Sequence, residues 1–200
     1  MYIPRVAILI SGTGSNMEVL VKASLTGELP AQISFVGSDR ISAKGLDTAN
    51  ALGAQTRVFF YKRDGRTASE AAISQAIKET HTDWIVLAGF MRVLSPEFVR
   101  EFSGRIINIH PALLPSFPGA HGIEDAWNAK VKVTGVTVHL VDEEVDHGPI
   151  LAQEEVPVLS DDTIETLETR IHKTEHKIYK EALKKFFEEN PVNINDWEED

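Results

Sequence analysis

The residues from Arg105 to Gly122, RIINIHPALLPSFPGAHG, start as an apolar strand, which Asn108 and then His110 interrupt before a proline-rich loop follows. An amide can donate to a developing oxyanion, and an imidazolium can supply a proton or positive charge. A carboxylate, Asp146 in the later segment GVTVHLVDEEVDHG, can orient and charge that imidazole. Together these three groups are equipment for acyl or formyl transfer. Cysteine is absent and the chain has no Gly-x-Ser-x-Gly elbow, so nothing suggests a covalent acyl-enzyme; direct attack by a substrate amine is simpler. Each residue alone also has a structural use, as a satisfied histidine near a strand end or an amide bonded to a loop. Their combination is what points to chemistry.

A second signal is ILISGTGSNMEVL near the amino terminus. A strand runs into Gly12, Thr13 and Gly14, and Ser15-Asn16 opens a helix, so exposed backbone N–H groups and the positive helix end can meet a phosphate. The third spaced glycine of a dinucleotide fingerprint and the Gly-Lys-Ser/Thr ending of a nucleoside-triphosphate loop are both missing. The same residues would also serve a tight turn in which Ser15 and Asn16 act as caps. A third pattern, HKTEH from His172 to His176, puts two histidines on one helix face as in an inverted zinc-protease site. Only an acidic tail follows to supply another ligand, so no metal is expected.

The elements that must position these groups alternate along the chain. RVAILI, QISFVG, TRVFF, DWIVLAG and RIINI read as strands, while Ser15 to Thr26, Ala43 to Leu52, Thr67 to Thr80 and Pro96 to Phe102 read as helices. Strands this apolar are buried on both faces, which with intervening helices predicts an α/β fold: a doubly wound, mostly parallel Rossmann-like sheet. From Lys132 two strands around an acidic loop predict an antiparallel element in the later part. A long C-terminal helix follows Ser160-Asp161-Asp162, read as its capping residues, with Ile164, Leu167, Ile171 and Ile178 at helical spacing and an end near Glu189. Residues 1–189 are expected to form a single domain and 190–200 an acidic tail.

With 200 residues and 42% hydrophobic content, the chain can build one substantial core. Its formal net charge of -10 disfavours a nonspecific hold on nucleic acid. The first apolar run is too short for a signal peptide or membrane span, so a cytoplasmic protein without a membrane partner is expected.

ISGTGSN, VLAGFMRVLSP, IINIHPALLPSFPG and TGVTVHLVDEEVDHGPILAQ, in this order, closely resemble the phosphoribosylglycinamide formyltransferase family of de novo purine synthesis, a branch of the folate-dependent formyltransferase superfamily. The resemblance covers nearly the whole chain. The Asn-x-His-Pro segment with the Asp-x-Gly loop carries the superfamily, and the Gly-x-Gly-Ser-Asn turn carries the branch. Its length agrees too, since the related methionyl-tRNA formyltransferases and formyltetrahydrofolate deformylases carry an extra domain.

The resemblance implies that Asn108, His110 and Asp146 are catalytic, with 10-formyltetrahydrofolate as cosubstrate, glycinamide ribonucleotide as acceptor and no metal. Gly14, Ser15 and Asn16 would hold the ribonucleotide phosphate, and His172 and Glu175 would approach the same substrate. Met91, Arg92, Val93 and Leu94 would meet the folate, with Asn108, with Asp142, Glu143, Glu144, Val145 and Asp146 closing over it, and with Arg66 nearby. A cis bond at Leu114-Pro115 is also implied. Ala112 stands where serine is frequent in the family, and His147 occupies a variable position of the Asp-x-Gly loop. Two other functions fit the same residues: a deformylase, with water as the nucleophile, and a noncatalytic nucleotide-binding module using only the glycine turn.

Overall fold

A computed structural model describes residues 2–192. Seven strands form one sheet: β1 (Arg5–Ile10), β2 (Gln32–Ser38), β3 (Thr56–Val58), β4 (Trp84–Leu87), β5 (Ile106–His110), β6 (Val133–Leu140) and β7 (Ile150–Pro157). Their order across it is β3-β2-β1-β4-β5-β6-β7. The five strands from β3 to β5 are parallel, and β6 and β7 add an antiparallel end. The winding reverses between β1 and β4, the place where open sheets of this kind gather ligands beyond the carboxyl ends of their strands.

Burial on both faces explains the apolar runs. Along β1, Val6, Ile8 and Ile10 enter one core with Met17 and Leu20 of α1 (Ser15–Thr26) and Leu167, Ile171 and Leu183 of α6 (Ile164–Glu189). Ala7 and Leu9 point the other way, into a core with Ile73 and Ile77 of α3 (Tyr61–Glu79) and Phe98 of α4 (Pro96–Glu101). The buried Tyr179 hydroxyl donates to the carbonyls of Leu87 at 2.8 Å and Ile107 at 3.1 Å, tying α6 to the site strands.

Three details differ from the sequence expectation. The cap of α6 is Thr163, in a reciprocal capping box with Thr166, and not the preceding Ser-Asp-Asp run. Asp162 instead pairs with Arg170 at 2.6 Å, which holds its carboxyl well below the usual range. Secondly, α3 begins at Tyr61, before the expected Thr67, but Gly65 at φ 81° and ψ 172° breaks it, so regular helix resumes only beyond that glycine. Thirdly, a helix, α5 (Gly122–Asn128), follows the proline-rich loop where the sequence predicts none; its seven residues are too few to show a helical period among nearby glycines and a proline. α2 (Lys44–Ala51) lies within the expected span. Of the expected acidic tail, residues 193–200 lie outside the described residues.

Candidate active site

Asn108 lies inside β5 and His110 ends it. The antiparallel register with β6 sets His139 directly opposite Asn108, so the two side chains share a face. Asp146 comes from the β6–β7 loop at φ 54°, a left-handed conformation that aspartate tolerates better than most residues.

These four side chains meet. Asp146 Oδ2 accepts from the Gly119 N–H at 2.7 Å and lies 3.4 Å from His110 Nδ1. Its other oxygen, Oδ1, lies 3.5 Å from both Asn108 Nδ2 and His139 Nε2. His139 Nδ1 is 2.9 Å from the Leu140 carbonyl, which can only accept, so Nδ1 carries a proton and Nε2 faces Asn108 Nδ2 at 3.3 Å. His110 Nε2 donates to the Phe117 carbonyl at 2.7 Å. Burial pushes the Asp146 carboxyl up, but His139, the Gly119 N–H and the charge of His110 outweigh it and hold Asp146 below the usual carboxylate range.

His139 is the residue that sequence reasoning missed. The available signal was a histidine interrupting VTVHLV, the same kind of break that exposed Asn108 and His110. Beyond β5, Thr137 of β6 anchors the proline-rich loop, accepting from the Leu114 N–H at 3.0 Å and donating to the Ala112 carbonyl at 2.7 Å. The Ala112 side chain is fully buried, and the Leu114–Pro115 peptide is cis.

Asn108, His110, His139 and Asp146 line one side of a cavity of about 300 Å³, whose other walls are the segments Met91–Leu94 and Asp142–Asp146. That is at the lower end of the range that encloses small ligands, about 300–1,000 Å³. Met91 and Val93 from one wall and Val145 from the other are exposed, placing uncovered apolar surface on two sides of the same cavity. Asp142 braces its segment by accepting from the Glu144 N–H at 2.9 Å and from His147 Nδ1 at 3.0 Å. Arg66 is brought to neither wall; it lies exposed on α3, just past the break at Gly65.

The glycine turn sits at the carboxyl end of β1. Gly14 is the N-cap of the twelve-residue α1 at φ 72°, with no side-chain cap among the described residues. Asn16 is not a cap: its Nδ2 donates to Glu175 Oε2 at 3.1 Å, and that oxygen also meets His172 Nδ1 at 2.8 Å. Glu175 is only 5% exposed, and the buried Asn16 Oδ1 has no partner among the described residues. Asn16, His172 and Glu175 therefore form one polar cluster beside the start of α1. Among the described residues, no group of three His, Asp or Glu side chains is arranged to hold a metal ion.

The hydrogen bond to Glu175 raises the pKa of His172 above its ordinary value, against an opposing effect of burial. A raised folded pKa contributes stability that is full below the unfolded value, near 6.5, and fades as pH rises through the folded one. An NMR titration should place the His172 midpoint above 6.5, and Glu175→Gln should lower it. An unmoved midpoint would show that the pair does not set the charge.

A doubly wound sheet that gathers an amide, two imidazoles and a carboxylate on one side of an apolar-rimmed cavity has the groups that group-transfer chemistry uses to stabilise charge and move protons. Comparison with known proteins narrows that chemistry. Residues 4–183 match the family described as formyl transferase. Phosphoribosylglycinamide formyltransferase of Mycobacterium tuberculosis is 46% identical over 179 residues, covering 90% of this chain and 83% of that one. The trifunctional purine biosynthetic protein adenosine-3 of Bos taurus is 48% identical over 180 residues, covering 90% of this chain but 18% of the relative, so the chain spans under a fifth of that protein. The crystal structure of phosphoribosylglycinamide formyltransferase from Brucella melitensis superposes with a TM-score of 0.86 at 49% identity, covering 92% of this chain and 96% of that one. The chain belongs to the formyl transferase family.

Proposed function

We propose that this enzyme moves the formyl group of 10-formyltetrahydrofolate to the amine of 5'-phosphoribosylglycinamide, a step of purine biosynthesis in the cytoplasm. The observation that carries this reading is the convergence of Asn108, His110 and Asp146 at a cavity whose remaining walls, Met91–Leu94 and Asp142–Asp146, are the segments expected to receive the folate. The names of the relatives support phosphoribosylglycinamide as the acceptor of a formyl group.

The chain's own groups have distinct tasks. The cavity holds the formyl donor with its formyl carbon toward β5. Asn108 Nδ2 and His110 Nε2 donate to the formyl oxygen as the glycinamide nitrogen adds to that carbon, the oxyanion taking the place of the Phe117 carbonyl on Nε2. Asp146 keeps His110 oriented and relays, through water, the proton that the attacking amine loses and the departing folate nitrogen gains. No group on the protein is acylated; the site lowers the barrier by alignment and charge. At the other end of the substrate, the amide N–H groups opening α1 receive the phosphate, while Asn16, His172 and Glu175 flank the sugar and amine.

Incubating the protein with 10-formyltetrahydrofolate, with and without glycinamide ribonucleotide, tests the reading. Loss of donor only when both are present is expected. Donor-only turnover would mean a deformylase, and no turnover would leave a binding module.

The glycine turn gives a second test, and the packing around it decides which glycine can serve. A Cβ on Gly14 would lie 2.9 Å from Met17 Cε and 3.1 Å from the Gly45 Cα, at a φ of +72°. Gly14→Val should therefore destabilise the fold by about 2 kcal/mol or more before any phosphate is considered. At Gly12 a Cβ meets no heavy atom within 4 Å among the described residues. Gly12→Val should keep the melting temperature nearly unchanged, raise the KM for the ribonucleotide about 10-fold or more, and spare the KM for folate. Equal weakening of both substrates would remove the phosphate from this turn.

A further inference from the structure

The loop from Gly89 to Ser95 joins β4 to α4 and supplies the Met91–Leu94 wall, yet it contains no regular secondary structure. On the side of β1, its Gly89 carbonyl accepts from the Ser11 N–H at 3.0 Å and its Met91 N–H donates to Ser11 Oγ at 2.8 Å. Two carboxylates from other elements also grip it. Asp39, directly after β2, has a fully buried side chain and accepts from Arg92 Nε at 2.7 Å. The Arg92 guanidinium also lies over the Tyr61 ring, 5.2 Å from its centroid. Glu70, on α3 and 5% exposed, accepts from the Ser95 N–H at 3.0 Å and from the Ser95 hydroxyl. Ser95 Oγ in turn caps α4 by accepting from the Phe98 N–H at 3.2 Å.

Neither carboxylate lines the cavity. Burying a carboxylate costs several kcal/mol in order of magnitude unless it is paired and hydrogen-bonded, and well-packed apolar residues often serve stability equally well. Glu70 directs its bonds to this irregular loop, and so does the short contact of Asp39, whose other cation, Arg40, lies farther off at 3.8 Å. Asp39 also stands at the end of β2, where a doubly wound dinucleotide-binding protein presents an acid to a ribose. Here Arg92 engages that acid, which turns it from a ligand contact into a brace.

We propose that Asp39 and Glu70 are positioning residues for the formyl donor, holding the Gly89–Ser95 loop through Arg92 and Ser95 so that Met91–Leu94 stays shaped to the cavity. The inference rests on the reading that this cavity takes the folate. Neither residue touches the reacting atoms, so each acts on donor affinity more than on the chemical step.

The test uses the isosteric variants Asp39→Asn and Glu70→Gln, with Ser95→Ala as a further variant that removes the hydroxyl held by Glu70. Calorimetric titration with tetrahydrofolate gives donor-site affinity without catalysis. Steady-state kinetics give KM for each substrate and kcat, and melting curves report the fold. The two carboxylate variants should weaken tetrahydrofolate binding and raise the donor KM about 10-fold, with ribonucleotide KM and kcat changed by no more than about threefold. Ser95→Ala should show a smaller change of the same pattern, and it carries the test if the carboxylate variants fail to fold, because Ser95 is held by Glu70 and does not itself line the cavity. Unchanged donor affinity in folded variants, or equal loss for both substrates, would overturn the proposal. A wild-type protein that binds no tetrahydrofolate would sink the functional reading itself, and this proposal with it.

Discussion

Asp146→Asn is expected to lower turnover by about 10³-fold or more, with both KM values changed only a few-fold. The amide keeps the shape of the carboxylate but not its charge or its double acceptor character. In the wild type Oδ2 accepts from the Gly119 N–H at 2.7 Å and faces His110 Nδ1 at 3.4 Å, while Oδ1 faces Asn108 Nδ2 and His139 Nε2, both at 3.5 Å. An asparagine must turn its own NH₂ toward one of those two groups of neighbours, so part of the network is lost whichever way it settles. His110 loses the charge that orients it, and the relayed proton loses its acceptor.

The same substitution has a pH signature. Because the folded pKa of Asp146 is depressed, its ionisation contributes stability that is present above the unfolded value, near 3.9, and is lost as pH falls through the folded one. The gap in melting temperature between wild type and Asp146→Asn should thus be open at neutral pH and narrow as the solution is acidified past about pH 4. Melting curves across that range, beside turnover at neutral pH, check both halves. A folded variant that keeps more than about a tenth of wild-type turnover would exclude Asp146 from the chemistry.

The parts of this molecule that could be read from its sequence share one physical property. The strands β1, β4 and β5 are packed on both faces, so each is a nearly continuous apolar run, and any polar residue inside one stands out. Asn108 and His110 were legible for that reason. His139 breaks the apolar pattern of β6 in the same way, but its partnership with Asn108 depends on antiparallel register, which pairs residues 31 positions apart and leaves no local trace. The same limit applies at Gly14. A glycine requirement shows in the sequence, whereas the direction in which an added Cβ would point, inward to Met17 and Gly45, exists only once α1 and α2 are packed. The brace at Arg92 was hidden likewise, because Asp39 and Glu70 reach it from separate elements.

Asn108→Asp is the other substitution with a large expected effect, and the geometry shows that it does two things at once. It removes an N–H donor from the oxyanion position, and loss of one such donor costs on the order of 10²–10³ in turnover. It also sets a second carboxylate at the point where Asn108 Nδ2 now lies 3.5 Å from Asp146 Oδ1. Two full charges at that distance repel by roughly 5 kcal/mol at an effective dielectric constant of about 20, so the pair shares a proton and one of its two apparent pKa values rises. A raised folded pKa favours the fold at low pH and penalises it as pH climbs. The stability deficit of Asn108→Asp relative to wild type should accordingly grow from about pH 4 upward and level off above the raised pKa. Asn108→Ala removes the donor without the repulsion and separates the two effects: it should still lose about 10²-fold in turnover, but with no such pH-dependent deficit. Asn128→Asp, at the exposed end of α5, is the control and should be nearly silent. Turnover, both KM values and melting curves at several pH values would be measured for the three variants together. If folded Asn108→Ala keeps more than about a tenth of wild-type turnover, the amide inside β5 is a structural partner of His139 and Asp146, and the oxyanion must be held by other groups.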